Sequence, residues 1–165
     1  MGIRGYYRVI EDSVLSQVIS GDKEIFDIAP LQYQELDIDK FWRAIHYLLC
    51  NDIENGEPPG GYVVPVRDDN EIVPGIPVSD ITLYYITAQQ VKEASDFLNA
   101  LDDDTLKSMY DFKAMRENKV YPLFGDEPDT DADCFYEDIY SFLMMIRDYF
   151  VQAVENGYGI IFWLI

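Results

Sequence analysis

His46 is the only histidine in the chain, so any mechanism that needs an imidazole as general base or metal ligand has one residue to use. On a helix it shares a face with Trp42 and Cys50, four residues to either side. Asp37 and Asp39 precede the same segment. Carboxylate, imidazole and thiol converging there would suit a divalent cation or a Cys–His nucleophilic pair. The same letters also have a purely structural reading: His46 bonded to a backbone carbonyl or a carboxylate, Asp39 as a helix cap, Cys50 packed as a small hydrophobe. Zinc hydrolases draw on more histidine than this chain owns, so neither metal nor cofactor is expected. If the segment lines a pocket, its walls are Asp37, Asp39, Trp42, His46 and Tyr121, where the helix meets the strand ends.

Other chemistries find less support. Asp129, Asp131 and Asp133 open like a calcium loop, but position six is Cys134 where glycine is needed and position twelve is Tyr140 where glutamate is needed. Carboxylates at a helix N-terminus explain these letters without an ion. No G-x-S-x-G context presents a serine nucleophile. Gly60-Gly61 follows Pro58-Pro59 without the lysine or helix start of a phosphate-binding loop.

Charge narrows the partners. Twelve Lys and Arg stand against 31 Asp and Glu, a formal charge of -19. Nucleic acid and anionic membranes are therefore poor partners, because the richest basic stretch, Lys107 to Lys119, is itself interrupted by Asp111 and Glu117. A basic protein is the partner this surface would attract. Cys50 and Cys134 are expected to be free thiols, since 165 residues, 48% of them apolar, can build a core without disulfide staples. No signal region precedes the first strand, no apolar run approaches the ~20 residues of a membrane span, and cytoplasmic residence is expected. Gly2 lacks the Ser or Thr at position 6 that a myristoylation signal needs, since Tyr6 stands there.

The elements that would hold these residues follow from periodicity and punctuation. Gly5 to Ile10 is β-prone. Glu11-Asp12-Ser13 then starts a helix with Val14, Leu15, Val18 and Ile19 at helical spacing, ended by Gly21. The stretch from Asp22 to Leu36, with Pro30, reads as irregular chain. Asp39 caps a helix whose Phe41, Trp42, Ile45, Leu48 and Leu49 share a face. Asn51 to Gly61 is loop, and Tyr62 to Val66 is an edge strand, because Pro65, Pro74 and Pro77 exclude a central one. Ile81 to Ile86 is a strand, and Thr87-Ala88-Gln89-Gln90 is a capping box opening a helix. Asp102-Asp103-Asp104 caps the next helix, which runs through Leu106, Met109, Tyr110 and Met115. A long helix carries Phe135 to Val154, Gly157 ends it, and Gly159 to Ile165 is a buried strand. The expected fold is α+β over residues 1–165 as one domain: a small mixed sheet with helices packed against it, the long C-terminal helix followed by a C-terminal strand.

Several segments together resemble the YfbM-like family of small bacterial proteins, a domain of unknown function. They are Met1-Gly2-Ile3-x-Gly5-x-Tyr7, Leu36-Asp37-Ile38-Asp39-Lys40-x-Trp42-x-x-Ile45-His46-x-Leu48-Leu49, Ile86-Thr87-Ala88-Gln89-Gln90-Val91, Tyr121-Pro122, and Gln152-Ala153 in the last helix. The resemblance spans nearly the whole chain in order and implies the same strand-to-helix step at Ile86-Thr87-Ala88. It assigns no reaction. Two functions are therefore expected to compete: a non-enzymatic acidic adaptor for a basic protein, and a small-molecule binder or hydrolase-like enzyme using the pocket around Asp37, Asp39, Trp42 and His46.

Overall fold

The computed structural model describes residues 2–24, 35–72 and 81–165. The irregular chain expected around Pro30, and the expected roles of Pro74 and Pro77, lie outside the described residues. Strand β1 (Gly5–Glu11) leads directly into α1 (Asp12–Ile19). Strand β2 (Leu36–Asp37) and a 3-10 turn (Asp39–Phe41) precede α2 (Trp42–Cys50). Strands β3 (Glu71–Ile72) and β4 (Thr82–Ile86) are followed by α3 (Ala88–Ala100), α4 (Asp103–Met109), α5 (Phe112–Glu117), α6 (Ala132–Glu155) and β5 (Tyr158–Leu164).

The strands form one sheet in the order β2-β1-β5-β4-β3. A sheet of mixed direction was the expectation. Instead all four described pairings are antiparallel. The C-terminal strand is central, which explains why it is apolar on both faces. Ile160 and Phe162 face a large core shared with α2, α3 and α6, and Ile161 and Trp163 face a smaller one closed by Leu15 and Val18 of α1. Strand β5 can turn back beside its own helix because Gly157 takes φ +67 just beyond α6, a conformation other residues adopt at a cost.

Local signals placed most boundaries well. Thr87 Oγ1 accepts the Gln90 N–H at 3.3 Å and Gln90 Oε1 accepts the Thr87 N–H at 3.0 Å, the reciprocal capping box expected. Thr87→Ala should cost about 1 kcal/mol in a urea titration. An unchanged midpoint would show that the box does not hold the start of α3. Asp102 caps α4 by accepting the Thr105 N–H at 2.7 Å.

Three further expectations need correction. The single helix expected beyond Asp102 is two, because Asp111 accepts the Ala114 N–H at 2.9 Å and so caps α5 separately. Tyr62 to Val66 is not an edge strand: Tyr62 ends a 3-10 turn (Gly60–Tyr62), and the Val66 and Arg67 N–H groups fold back onto the carbonyls two residues earlier, each at 2.8 Å. Val63, Val64 and Val66 are all buried, so the segment fills the core without the alternation of a strand. Among the described residues the edges belong to β2 and β3. Thirdly, Asp39 does not cap α2. It has φ +50, its N–H donates to Asp37 Oδ1 at 2.8 Å, and no side chain caps this helix. Aspartate tolerates that left-handed geometry better than most residues.

Candidate functional site

The five residues expected to line one pocket divide into two environments. Asp37 and Asp39 both grip Arg4, at 2.6 and 2.7 Å, on partly exposed surface beside the first strand. Trp42 is buried, donates its ring N–H to the Ile3 carbonyl at 3.0 Å, and lies 5.9 Å, ring to ring, from Tyr121. The Tyr121 hydroxyl is buried without a hydrogen-bond partner among the described residues. These four residues thus gather around the segment from Ile3 to Gly5.

His46 belongs elsewhere. It is fully buried one turn along α2 from Trp42. Its Nε2 receives the Gly56 N–H at 3.0 Å, so Nδ1 carries the proton and donates to the Val64 carbonyl at 2.8 Å. Burial holds its pKa below the ordinary histidine value, a shift the Val64 carbonyl opposes. A neutral ring with both nitrogens engaged by backbone has no lone pair left for a metal or a substrate proton. Cys50, one turn further on, has its thiol pushed up by burial to about 11, and so supplies almost no thiolate near neutral pH. Among the described residues, no three or more His, Cys, Asp or Glu are grouped to hold a metal ion. Asp129 of the calcium-like run instead meets Arg116 at 2.7 Å.

A different place draws charged and aromatic groups together. Side chains of α4 meet those of the first turns of α6 around an open groove of about 510 Å³. Asp103, Asp104, Asp133 and Glu137 supply its carboxylates, and Tyr136 and Tyr140 its rings. Tyr140 donates its hydroxyl to Asp103 at 2.7 Å. The Lys107 ammonium sits 4.1 Å over the Tyr136 ring and 3.7 Å from Asp133, so the groove already holds one cation by ring face and carboxylate together. Tyr136 and Tyr140 are four apart on α6, a spacing visible in the sequence. Only the packing of α4 against them makes a groove. A smaller depression of about 390 Å³ lies between Pro58-Pro59 and Glu93, Asp96 and Phe97 of α3.

A profile described as a domain of unknown function (DUF1877) matches residues 1–163. The chain belongs to this YfbM-like family. Its architecture is similar to that of YfbM from Escherichia coli, whose crystal structure is described as that of a protein of unknown function. The two chains are 19% identical and superpose with a TM-score of 0.75 over 98% of this chain and 99% of the other. At that identity the likeness concerns the fold, so the YfbM-like assignment confirms the architecture and leaves the chemistry to be argued from this chain's own residues. No curated protein matches it. Among the described residues no helix is long and apolar enough to cross a membrane.

Proposed function

We propose that this YfbM-like chain is a non-catalytic docking module that binds a basic surface of another protein. The observation that carries the reading is the α4–α6 groove, where two tyrosine rings are bordered by four carboxylates, of which Asp133 alone meets a base among the described residues. Among the described residues Asp104 and Glu137 take part in no ion pair, and Lys107 is the groove's one base. Such a surface concentrates field lines on a basic partner and speeds its encounter. The enzyme reading draws no comparable support: His46 and Trp42, its central residues, have their polar ring atoms committed to backbone. Cytoplasmic residence, with both thiols reduced, goes with this proposal.

The test is affinity capture of the tagged protein from lysate of its source organism at low and high salt, beside the double charge reversal Asp104→Lys and Glu137→Lys. Both positions are exposed, so the variant should fold normally. A basic protein held near one-to-one at low salt, released at high salt, and lost at least tenfold by the variant is the expected result. Equal recovery by the wild type and the charge-reversed variant would sink the reading.

A further inference from the structure

We infer that Phe124 is an apolar anchor that enters a pocket on the basic partner, a pocket rimmed by Lys or Arg side chains; the inference rests on the docking reading above. Phe124 is 75% exposed, the most open of the large apolar side chains among the described residues. A lone exposed apolar residue is ordinary on protein surfaces. Here the backbone around it is held by several hydrogen bonds. Leu123, one residue earlier, points into the core, and its N–H bonds the Val120 carbonyl at 2.9 Å. The N–H groups of Phe124 and Gly125 both donate to the Glu127 carboxylate, at 2.6 and 3.0 Å. Arg116 closes the turn by donating to the Glu127 carbonyl at 2.8 Å and to Asp129 at 2.7 Å, while its guanidinium lies over the ring of buried Phe112.

The turn is thereby stapled to α5, and its order precedes any binding event. A phenylalanine has two rotatable side-chain bonds, so on a fixed turn its insertion costs little entropy. Large aromatic anchors in desolvated pockets are the contacts that dominate protein interfaces.

Charge selects the occupant. From Asp126 to Asp133 the chain carries five acids and no base. Asp129 is matched by Arg116 and Asp133 approaches Lys107, while Asp126 and Asp131 are exposed. One lysine, Lys119, lies beside Gly125. An apolar pocket edged with Lys or Arg meets this rim favourably. A second copy of the chain would bring its own charge of -19, so self-association through this turn is opposed.

The experiment places the photo-reactive amino acid p-benzoylphenylalanine at position 124, and separately at exposed Met145 as a control, and irradiates the full chain in low-salt lysate. The expected result is one discrete adduct from position 124 that position 145 does not give. Its linked peptide should contain apolar residues flanked by Lys or Arg. That protein, purified, should bind Phe124→Ala about thirtyfold or more weakly than wild type, with the melting temperature unchanged because the side chain is exposed. If Phe124→Ala binds as wild type while Asp104→Lys/Glu137→Lys does not, the anchor is refuted and the docking module stands. An adduct only with a second copy, or with a peptide lacking basic residues, also overturns the anchor. Absence of both adduct and charge-dependent capture overturns anchor and docking module together.

Discussion

Replacing His46 with alanine is expected to lower the free energy of unfolding by about 4 kcal/mol, a large share of the ~5–15 kcal/mol that holds a typical domain together. The imidazole is fully buried and bridges α2 to the loop that follows it through Val64 O and Gly56 N–H. Deletion leaves the Gly56 N–H unpaired in the interior, at about 1–3 kcal/mol, leaves the Val64 carbonyl with the Val66 N–H as its remaining partner, and opens a cavity besides. A pH signature separates this role from generic damage. The folded state holds His46 below its ordinary pKa, so between the folded and unfolded values the unfolded chain binds a proton that the fold excludes. Stability from this residue is therefore complete above about pH 6.5 and is lost as pH falls below that value. Protonation would also turn Nε2 from acceptor into donor, facing the Gly56 N–H. Urea titrations of wild type and His46→Ala across pH 5 to 8 should converge toward the acid end. A constant difference across that range, or a loss under 1 kcal/mol, would show that His46 does not pin the loop.

The sequence made the frame legible where the signals are local. Strands β1, β4 and β5 follow from β-branched and aromatic runs, and the starts of α3 and α4 from side chains that cap their own backbone. The Asp111 cap was equally local, but an apolar spacing that continued across it suggested one helix. Tyr62 to Val66 failed for another reason. Val-Val-Pro-Val has strand propensity, yet the backbone there is spent on tertiary partners: the Val64 carbonyl on His46 and the Val63 carbonyl on the Tyr7 hydroxyl, at 2.8 Å each. Propensity describes how a residue fits a pleated sheet and is silent about a carbonyl wanted elsewhere in the core. Asp39 was misplaced similarly, because a cap and an ion pair use the same carboxylate and Arg4 lies 35 residues away. The candidate site shows the limit most clearly. The helical face shared by Trp42, His46 and Cys50 was readable. That His46 would turn inward to a loop, while Asp37 and Asp39 turned outward to Arg4, depends on contacts no spacing encodes.

That loop also carries the second large effect, at Gly61. Its backbone passes so close to Gly56 that a Cβ would collide with the Gly56 carbonyl oxygen and lie 2.8 Å from the carbonyl carbon. Neither atom is the end of a flexible side chain. The Gly56 carbonyl is held by Arg67, and the Gly61 N–H is held by the Glu57 carbonyl at 2.8 Å. Gly61→Ala must therefore spread the loop, and spreading it draws the Gly56 N–H away from His46. The expected cost is about 3–5 kcal/mol, from overpacking together with the hydrogen bonds lost. Gly157→Ala is the control, because a Cβ there meets nothing within 4 Å and only the φ of +67 is strained, at roughly 1 kcal/mol. Since Gly61 and His46 act on one loop, their effects should not add. The double variant should be about 1–3 kcal/mol less stable than Gly61→Ala alone, against the ~4 kcal/mol that additivity would give, a coupling of about 1–3 kcal/mol, and Gly61→Ala should itself lose the acid-side slope assigned to His46. Strict additivity, or a Gly61→Ala protein that keeps that slope, would mean that the histidine and the glycine hold separate parts of the structure.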